Sequence, residues 1–129
     1  MINTMTHLSI FVKDQNEALA FYTQKLGFKV HTDAMMPNNE RWLTIHPAQQ
    51  KNFEIALMQA TTPAQKAIVG KQAPDVPFFC VSTDDCRKMI EDFKKNNVKV
   101  VGEPEEQPWG ISASFLDLYG NIIYIVESK

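Results

Sequence analysis

The 129-residue chain is predicted to be an α+β protein made of two βαβββ modules. Three observations predict it. One plan occurs twice: residues 7–30, HLSIFVKDQNEALAFYTQKLGFKV, and residues 78–100, FFCVSTDDCRKMIEDFKKNNVKV, each run alternating strand, acidic turn, amphipathic helix, short strand. Asp14 answers Asp84, Lys25 answers Lys95, Gly27 answers Asn97 and Lys29-Val30 answers Lys99-Val100, each 70 residues later. Each copy is then followed by two further strand-like runs. Finally, the proline-rich stretch beginning ATTPAQKAIVGKQAP separates the copies. The expected organisation is one domain over 1–129, with modules at 5–59 and 76–128 and a linker at 60–75.

Taken in order, His7–Val12 alternates, with Leu8, Ile10 and Val12 on one face and His7, Ser9 and Phe11 on the other. Asp14 caps a helix, with Glu17 three residues on as its capping-box partner. Ala18, Leu19, Tyr22 and Leu26 form the apolar stripe, and Gly27 stops the helix. Phe28–Thr32 is a short strand, and Pro37-Asn38-Asn39 a turn. Arg41–His46 and Asn52–Gln59 are strands joined through Pro47–Lys51, a turn that would set Thr44 opposite Glu54 and Trp42 opposite Ala56. A short helix is expected over Pro63–Val69. Val76–Ser82 is the next strand. Thr83 or Asp84 caps a helix whose apolar side carries Cys86, Met89, Ile90 and Phe93. Val98–Val101 is a strand, and EPEEQP an acidic solvated loop. Trp109–Asp117 and Ile122–Glu127 close the chain around a tight turn at Leu118–Asn121.

Composition excludes several classes. The charged fraction of 22% and apolar fraction of 44% are those of an ordinary globule, and the net charge is −2. No basic patch suits nucleic acid or an anionic membrane. No apolar run approaches the roughly 20 residues of a membrane span, and MINTMTHLSIFVKD reads as a first strand rather than a signal peptide. The two cysteines, Cys80 and Cys86, have no CxxC spacing, which suits a cytoplasmic protein with reduced thiols. Cys86 reads as a small apolar residue on the buried helix face; the alternative is a thiol activated by the helix N-terminus. Walker, GxGxxG and GxSxG motifs are absent from the sequence.

Three motifs carry a resemblance. His7 with Asp14 is similar to an H-x(6)-D opening, Ala20-Phe21-Tyr22 with Leu26-Gly27-Phe28 to an A-x-x-F-Y-x-x-x-L-G-F helix compressed by one position, and Asp117-Leu118-Tyr119-Gly120-Asn121 to a D-P-x-G-N turn with leucine in place of proline. In this order on a doubled plan, they resemble the glyoxalase/bleomycin resistance/dioxygenase superfamily, the vicinal oxygen chelate proteins. The resemblance covers nearly the whole chain. It implies two sheets curved into one cup, helices outside, a ligand site inside, and a homodimer.

On that fold, the alternation assigns Leu8, Ile10, Val12, Leu43, Ile45, Phe53, Ile55, Leu57, Phe79, Val81, Ile123 and Ile125 to the helix-covered face. The other face carries His7, Ser9, Phe11, Trp42, Thr44, His46, Glu54, Ala56, Met58, Phe78, Cys80, Ser82, Ser112, Ser114, Ile122 and Tyr124. The first face is aliphatic; the second mixes aromatics, hydroxyls, two imidazoles and a carboxylate, as a small-molecule pocket does. Its expected ligand-binding residues are His7, Ser9, Phe11, Trp42, Thr44, Glu54, Ala56, Phe78, Ser114 and Tyr124. The metal ligands of the resembled family fall on His7, at or near Ala56, on Phe78 and on Tyr124, so the usual centre is expected to be missing. Trp42 beside the small Ala56 would let the indole fill its place.

The leading expectation is therefore metal-free binding of a small organic molecule, of the resistance or sequestration type. One alternative is a glyoxalase- or dioxygenase-like enzyme with a shifted zinc, iron, nickel or manganese site at His7, His46 and Glu54. Another is metal-free acid–base catalysis by Glu54 with His7 or Tyr124 as proton partner. His31 and His46 otherwise read as surface residues at strand ends.

Overall fold

The computed structural model describes all of residues 1–129. The chain divides into two compact units, Met1–Val69 and Gly70–Lys129. Each holds a four-stranded mixed sheet.

In the first unit, β1 (His7–Val12), α1 (Gln15–Ala20), β2 (Lys29–Met35), β3 (Arg41–His46), β4 (Glu54–Gln59) and α2 (Pro63–Ile68) follow in order. The sheet order is β1-β4-β3-β2, with β1 parallel to β4 and the other neighbours antiparallel. The parallel pair needs the long crossover that α1, β2 and β3 supply. Asp14 Oδ1 accepts the Glu17 N–H at 2.9 Å, capping α1 where expected. Beyond Ala20 the helix widens into a π turn over Phe21–Lys25, and Gly27 ends it at φ 79°. Ile10, Val12, Leu43, Ile45 and Leu57 are each 0% exposed, so the face assigned to the core is the core. Tyr22 joins them, edge-on to Phe28 at 5.5 Å. Phe21, outside the predicted stripe, is also buried, because the π turn advances the apolar face by an extra position.

Thr62 caps α2 with a full capping box to Gln65 and Pro63 at its start. This helix belongs to the first unit and packs near β1, and it ends one residue short of the helix expected within the linker.

The second unit holds β5 (Phe79–Ser82), α3 (Cys86–Lys95), β6 (Val100–Gln107), β7 (Gly110–Leu116) and β8 (Ile122–Ser128), in sheet order β5-β8-β7-β6. β5 is parallel to β8; β8, β7 and β6 run antiparallel. Ile123 and Ile125 are 0% exposed, and Phe93 meets Phe115 at 4.7 Å between ring centroids. Asp117 organises the β7–β8 turn: its Oδ1 accepts the N–H groups of Tyr119, Gly120 and Asn121, and its Oδ2 accepts the Asn121 side-chain amide. That is why an aspartate opens the D-L-Y-G-N turn and an asparagine closes it.

Several boundaries differ from expectation. The cap of α3 is Asp85, not Thr83 or Asp84; Asp85 Oδ1 accepts the Lys88 N–H at 3.0 Å. β5 begins at Phe79 and β4 at Glu54, later than predicted, because each pairs with a parallel neighbour over a shorter register. β2 runs three residues past Thr32 to Met35, paired along β3. The acidic stretch is not a loop. Glu103–Gln107 lies within β6, an edge strand that tolerates Pro104 because the register shifts between Gly102 and Glu105. Trp109 belongs to the β6–β7 turn instead of β7 and is 55% exposed.

Candidate functional site

The mixed face of the first sheet is organised by the β4 registers. His7 lies opposite Glu54, Ser9 opposite Ala56 and Phe11 opposite Met58. On the other side of β4, Thr44 pairs with Ala56. The predicted hairpin register, Thr44 opposite Glu54, is thus two residues off. The chain between β3 and β4 runs from Pro47 to Phe53, longer than the turn expected, and Glu54 N–H donates to Thr6 at its end. His46 therefore belongs to the same cross-strand row as Glu54 and His7.

Glu54 is the centre of the site. Its Oε1 accepts the Thr44 hydroxyl at 2.6 Å and lies 3.0 Å from His31 Nδ1. Its Oε2 lies 3.4 Å from His7 Nε2. The Glu54 side chain is 15% exposed, against 37% for His7 and 44% for His31. A half-buried carboxylate thus has a hydroxyl and two imidazoles around it, as a buried charge requires. His7 Nδ1 is 2.9 Å from the Thr6 hydroxyl. His46 Nδ1 is 2.6 Å from the Pro47 carbonyl oxygen, and the His31 and His46 rings meet edge to face at 6.2 Å.

His31 is exposed, as expected, yet it is also part of this cluster. β2 pairs Val30 with Ile45 and Thr32 with Thr44, stepping out of register between them. His31 is the extra residue. Strict alternation sends His31 and Thr32 to opposite faces, whereas the bulge re-aims His31 toward Glu54. His46 differs from its surface assignment, being buried at 8% exposed.

Trp42 stands 5.7 Å from His7, ring planes inclined at 56°. The row Ser9, Ala56, Thr44 lies between their positions on the sheet, and Ala56 and Thr44 are each 0% exposed. Trp42 and Ala56 are not paired as predicted; the partner of Ala56 on β3 is Thr44. Ser9 is exposed, and Phe11 and Trp42 are partly exposed. The other predicted ligand-binding residues, Phe78, Ser114 and Tyr124, lie in the second unit, where Cys80 and Ser114 both pair with Tyr124.

Arg41 borders the face from the end of β3. It makes a two-pronged ion pair to Asp33 at 2.8 and 2.9 Å and donates to Asn16 at 2.6 Å. The guanidinium holds the Asp33 carboxyl below its ordinary range. Cys86 is not an activated thiol. It is 0% exposed, and burial, reinforced by the Glu127 charge, pushes its thiol up. Glu127 also accepts the Cys86 N–H at 2.7 Å.

Comparison with known proteins agrees with this architecture. The family model for the Glyoxalase/Bleomycin resistance protein/Dioxygenase superfamily matches residues 4–125. An uncharacterised protein of Shewanella frigidimarina is 32% identical over 123 residues, covering 95% of this chain and 91% of its own. The crystal structure of UcmS2 is similar at a TM-score of 0.87 and 29% identity, covering 99% of this chain and 100% of its own. TnmS3, an antibiotic binding protein from Streptomyces, is similar at a TM-score of 0.81 and 26% identity, covering 99% and 98%.

Proposed function

Since the chain belongs to the glyoxalase/bleomycin resistance protein/dioxygenase superfamily, we propose that it binds a small organic molecule on the mixed face of its first sheet, as a resistance or sequestration protein does. The carrying observation is the juxtaposition of Trp42 with the His7, Glu54 and His31 cluster. The indole offers a planar apolar surface, and the cluster beside it offers polar groups already held in place. Similarity to an antibiotic binding protein supports the same reading.

The divalent metal used elsewhere in the superfamily does not fit the residues at its usual positions. Of His7, Ala56, Phe78 and Tyr124, only His7 is a good donor, and its Nε2 faces Glu54 Oε2 at 3.4 Å. A set of three metal-ligating side chains in suitable geometry is not formed. The proposed binding runs through stacking on Trp42 and hydrogen bonds to the cluster.

A second reading is a lyase or oxidoreductase with a shifted site, and the closeness of two imidazoles to one carboxylate favours it. His7 and Glu54 would then be metal ligands, and His46, turned to Pro47, would have to swing free.

One experiment separates the two. Metal content is measured, and Trp42 fluorescence is followed in a Trp109→Phe background while planar aromatic compounds are added to the chelator-treated protein. Saturable quenching at one molecule per chain supports metal-free binding. Tightly held metal at one per chain, lost in His7→Ala together with all binding, would overturn it.

A further inference from the structure

In this cluster the imidazole contacts to carboxylate and carbonyl oxygens fix a tautomer, and those to the Thr6 and Thr32 hydroxyls do not. A carboxylate oxygen accepts, so the 3.0 Å contact between Glu54 Oε1 and His31 Nδ1 puts the His31 proton on Nδ1, where the Thr32 hydroxyl oxygen, 2.8 Å away, shares it. In the neutral ring the lone pair is then on Nε2, which makes no hydrogen bond within the protein. His7 differs: Nε2 faces Glu54 and Nδ1 faces the Thr6 hydroxyl, so both nitrogens are engaged. His46 differs again, since its Nδ1 proton goes to the neutral Pro47 carbonyl and the residue is only 8% exposed. The charged residue in register with it on β2 is Lys29, opposite His46.

Glu54 is fully engaged. Oε1 serves Thr44 and His31, and Oε2 serves His7. It is therefore a positioning residue. A carboxylate on one ring nitrogen orients an imidazole and stabilises the imidazolium formed when the other nitrogen takes up a proton. His31 is also the more open of the two rings that keep an unengaged nitrogen, 44% exposed on a bulge next to the rest of the site.

Resting on the binding function proposed above, we infer that His31 is the proton acceptor of the site, and that the ligand class is a planar molecule bearing an acidic hydroxyl, a phenol or enol. The ligand O–H bond breaks, its proton passes to His31 Nε2, and the electron pair stays on the ligand oxygen. The oxyanion is held against an imidazolium whose Nδ1 proton rests on Glu54. No further reactant is needed. Trp42 supplies the planar wall.

The test uses para-nitrophenol, whose anion absorbs in the visible, and para-nitrotoluene, which has nearly the same shape and no acidic proton. Both are titrated calorimetrically into the protein below the phenol's own pKa, and difference absorbance reads ionisation. The wild type should bind para-nitrophenol with growth of the phenolate band. His31→Gln should lose the band and weaken para-nitrophenol about tenfold, the scale of one charge-assisted hydrogen bond, while leaving para-nitrotoluene within about twofold. Glu54→Gln should shrink the band and also spare para-nitrotoluene. Circular dichroism confirms that both variants are folded. If both compounds bind equally, without ionisation or without dependence on His31, the proton-acceptor role is wrong and the binding function stands. If neither binds, both are wrong.

Discussion

In the first unit β2 slips register between Val30 and Thr32; in the second β6 slips between Val100 and Gly102, the corresponding pair. The rows beyond the slip correspond too. Thr44 pairs with Ala56, and Ser114 with Tyr124. At the start of each parallel pair His7 faces Glu54, whereas Phe78 donates its N–H to Ile122. The bulge residue is His31 in one unit and Val101, 50% exposed, in the other. Two copies of one frame thus carry an imidazole and carboxylate cluster in one case and apolar side chains in the other. The frame does not need the cluster. Its cost, a half-buried carboxylate with partners held around it, is what the proposed binding role would account for.

The helices differ in a second way. Gly27 lies thirteen residues beyond the cap Asp14, and Asn97 twelve beyond the cap Asp85. The π turn at Phe21–Lys25 absorbs the additional residue. The sharpest way to break the comparison follows from this. Deleting Glu91 from α3 should abolish cooperative urea unfolding, because each α-helical residue lost rotates the apolar face by about 100°. Deleting Gln24 should leave a cooperative transition, since the π turn can relax to an α turn. Equal damage from both deletions would mean that the π turn does not hold the surplus residue.

Next in size is the core. Phe93→Ala, which removes the ring packed on Phe115, should cost about 3–5 kcal/mol in urea melts. Tyr22→Ala, at the matching place in the first unit and 1% exposed, should cost a similar amount. A cost below about 1 kcal/mol at either place would show that the two cores are not equivalent. The caps come third: Asp14→Ala and Asp85→Ala should each lower stability by about 1 kcal/mol, as matched N-caps should.

The smallest effect belongs to the ion pair of Arg41 and Asp33. The Asp33 carboxyl is held low by the hydrogen bond from Arg41 and, less strongly, by its charge. Its contribution is therefore complete above the ordinary carboxylate pKa and is lost as pH falls through the lowered value. Asp33 is 41% exposed and screened by solvent, so Asp33→Asn should cost about 0.5 kcal/mol at neutral pH and nothing in acid. A loss that persists in acid would assign the effect to packing.

Much of the frame was legible in the residues because periodicity and punctuation report it directly. Arg41–His46 and the cap at Asp14 lie where alternation and an aspartate before an apolar stripe place them. The mixed face was legible too, with His7, Trp42, Thr44 and Glu54 assigned to it by period alone. What alternation cannot show is a slip in alternation. His31 was missed because a bulge reversed its side, and the partner of Thr44 was mistaken because the β3–β4 connection is longer than its turn residues suggest. Glu103–Gln107 reads as a loop because proline and like charges usually break strands, but this strand lies at an edge with a bulge beside the proline.

The central claim is that ligand binding resides in what distinguishes the first unit from the second. Replacing that difference tests it: His7→Phe, His31→Val and Glu54→Ile together give the first face the residues of the second. Para-nitrophenol is then titrated calorimetrically into this triple variant and into the wild type. The account predicts one binding site per chain in the wild type and binding at least about tenfold weaker in the variant, with cooperative unfolding kept. Undiminished binding by the folded variant would contradict it.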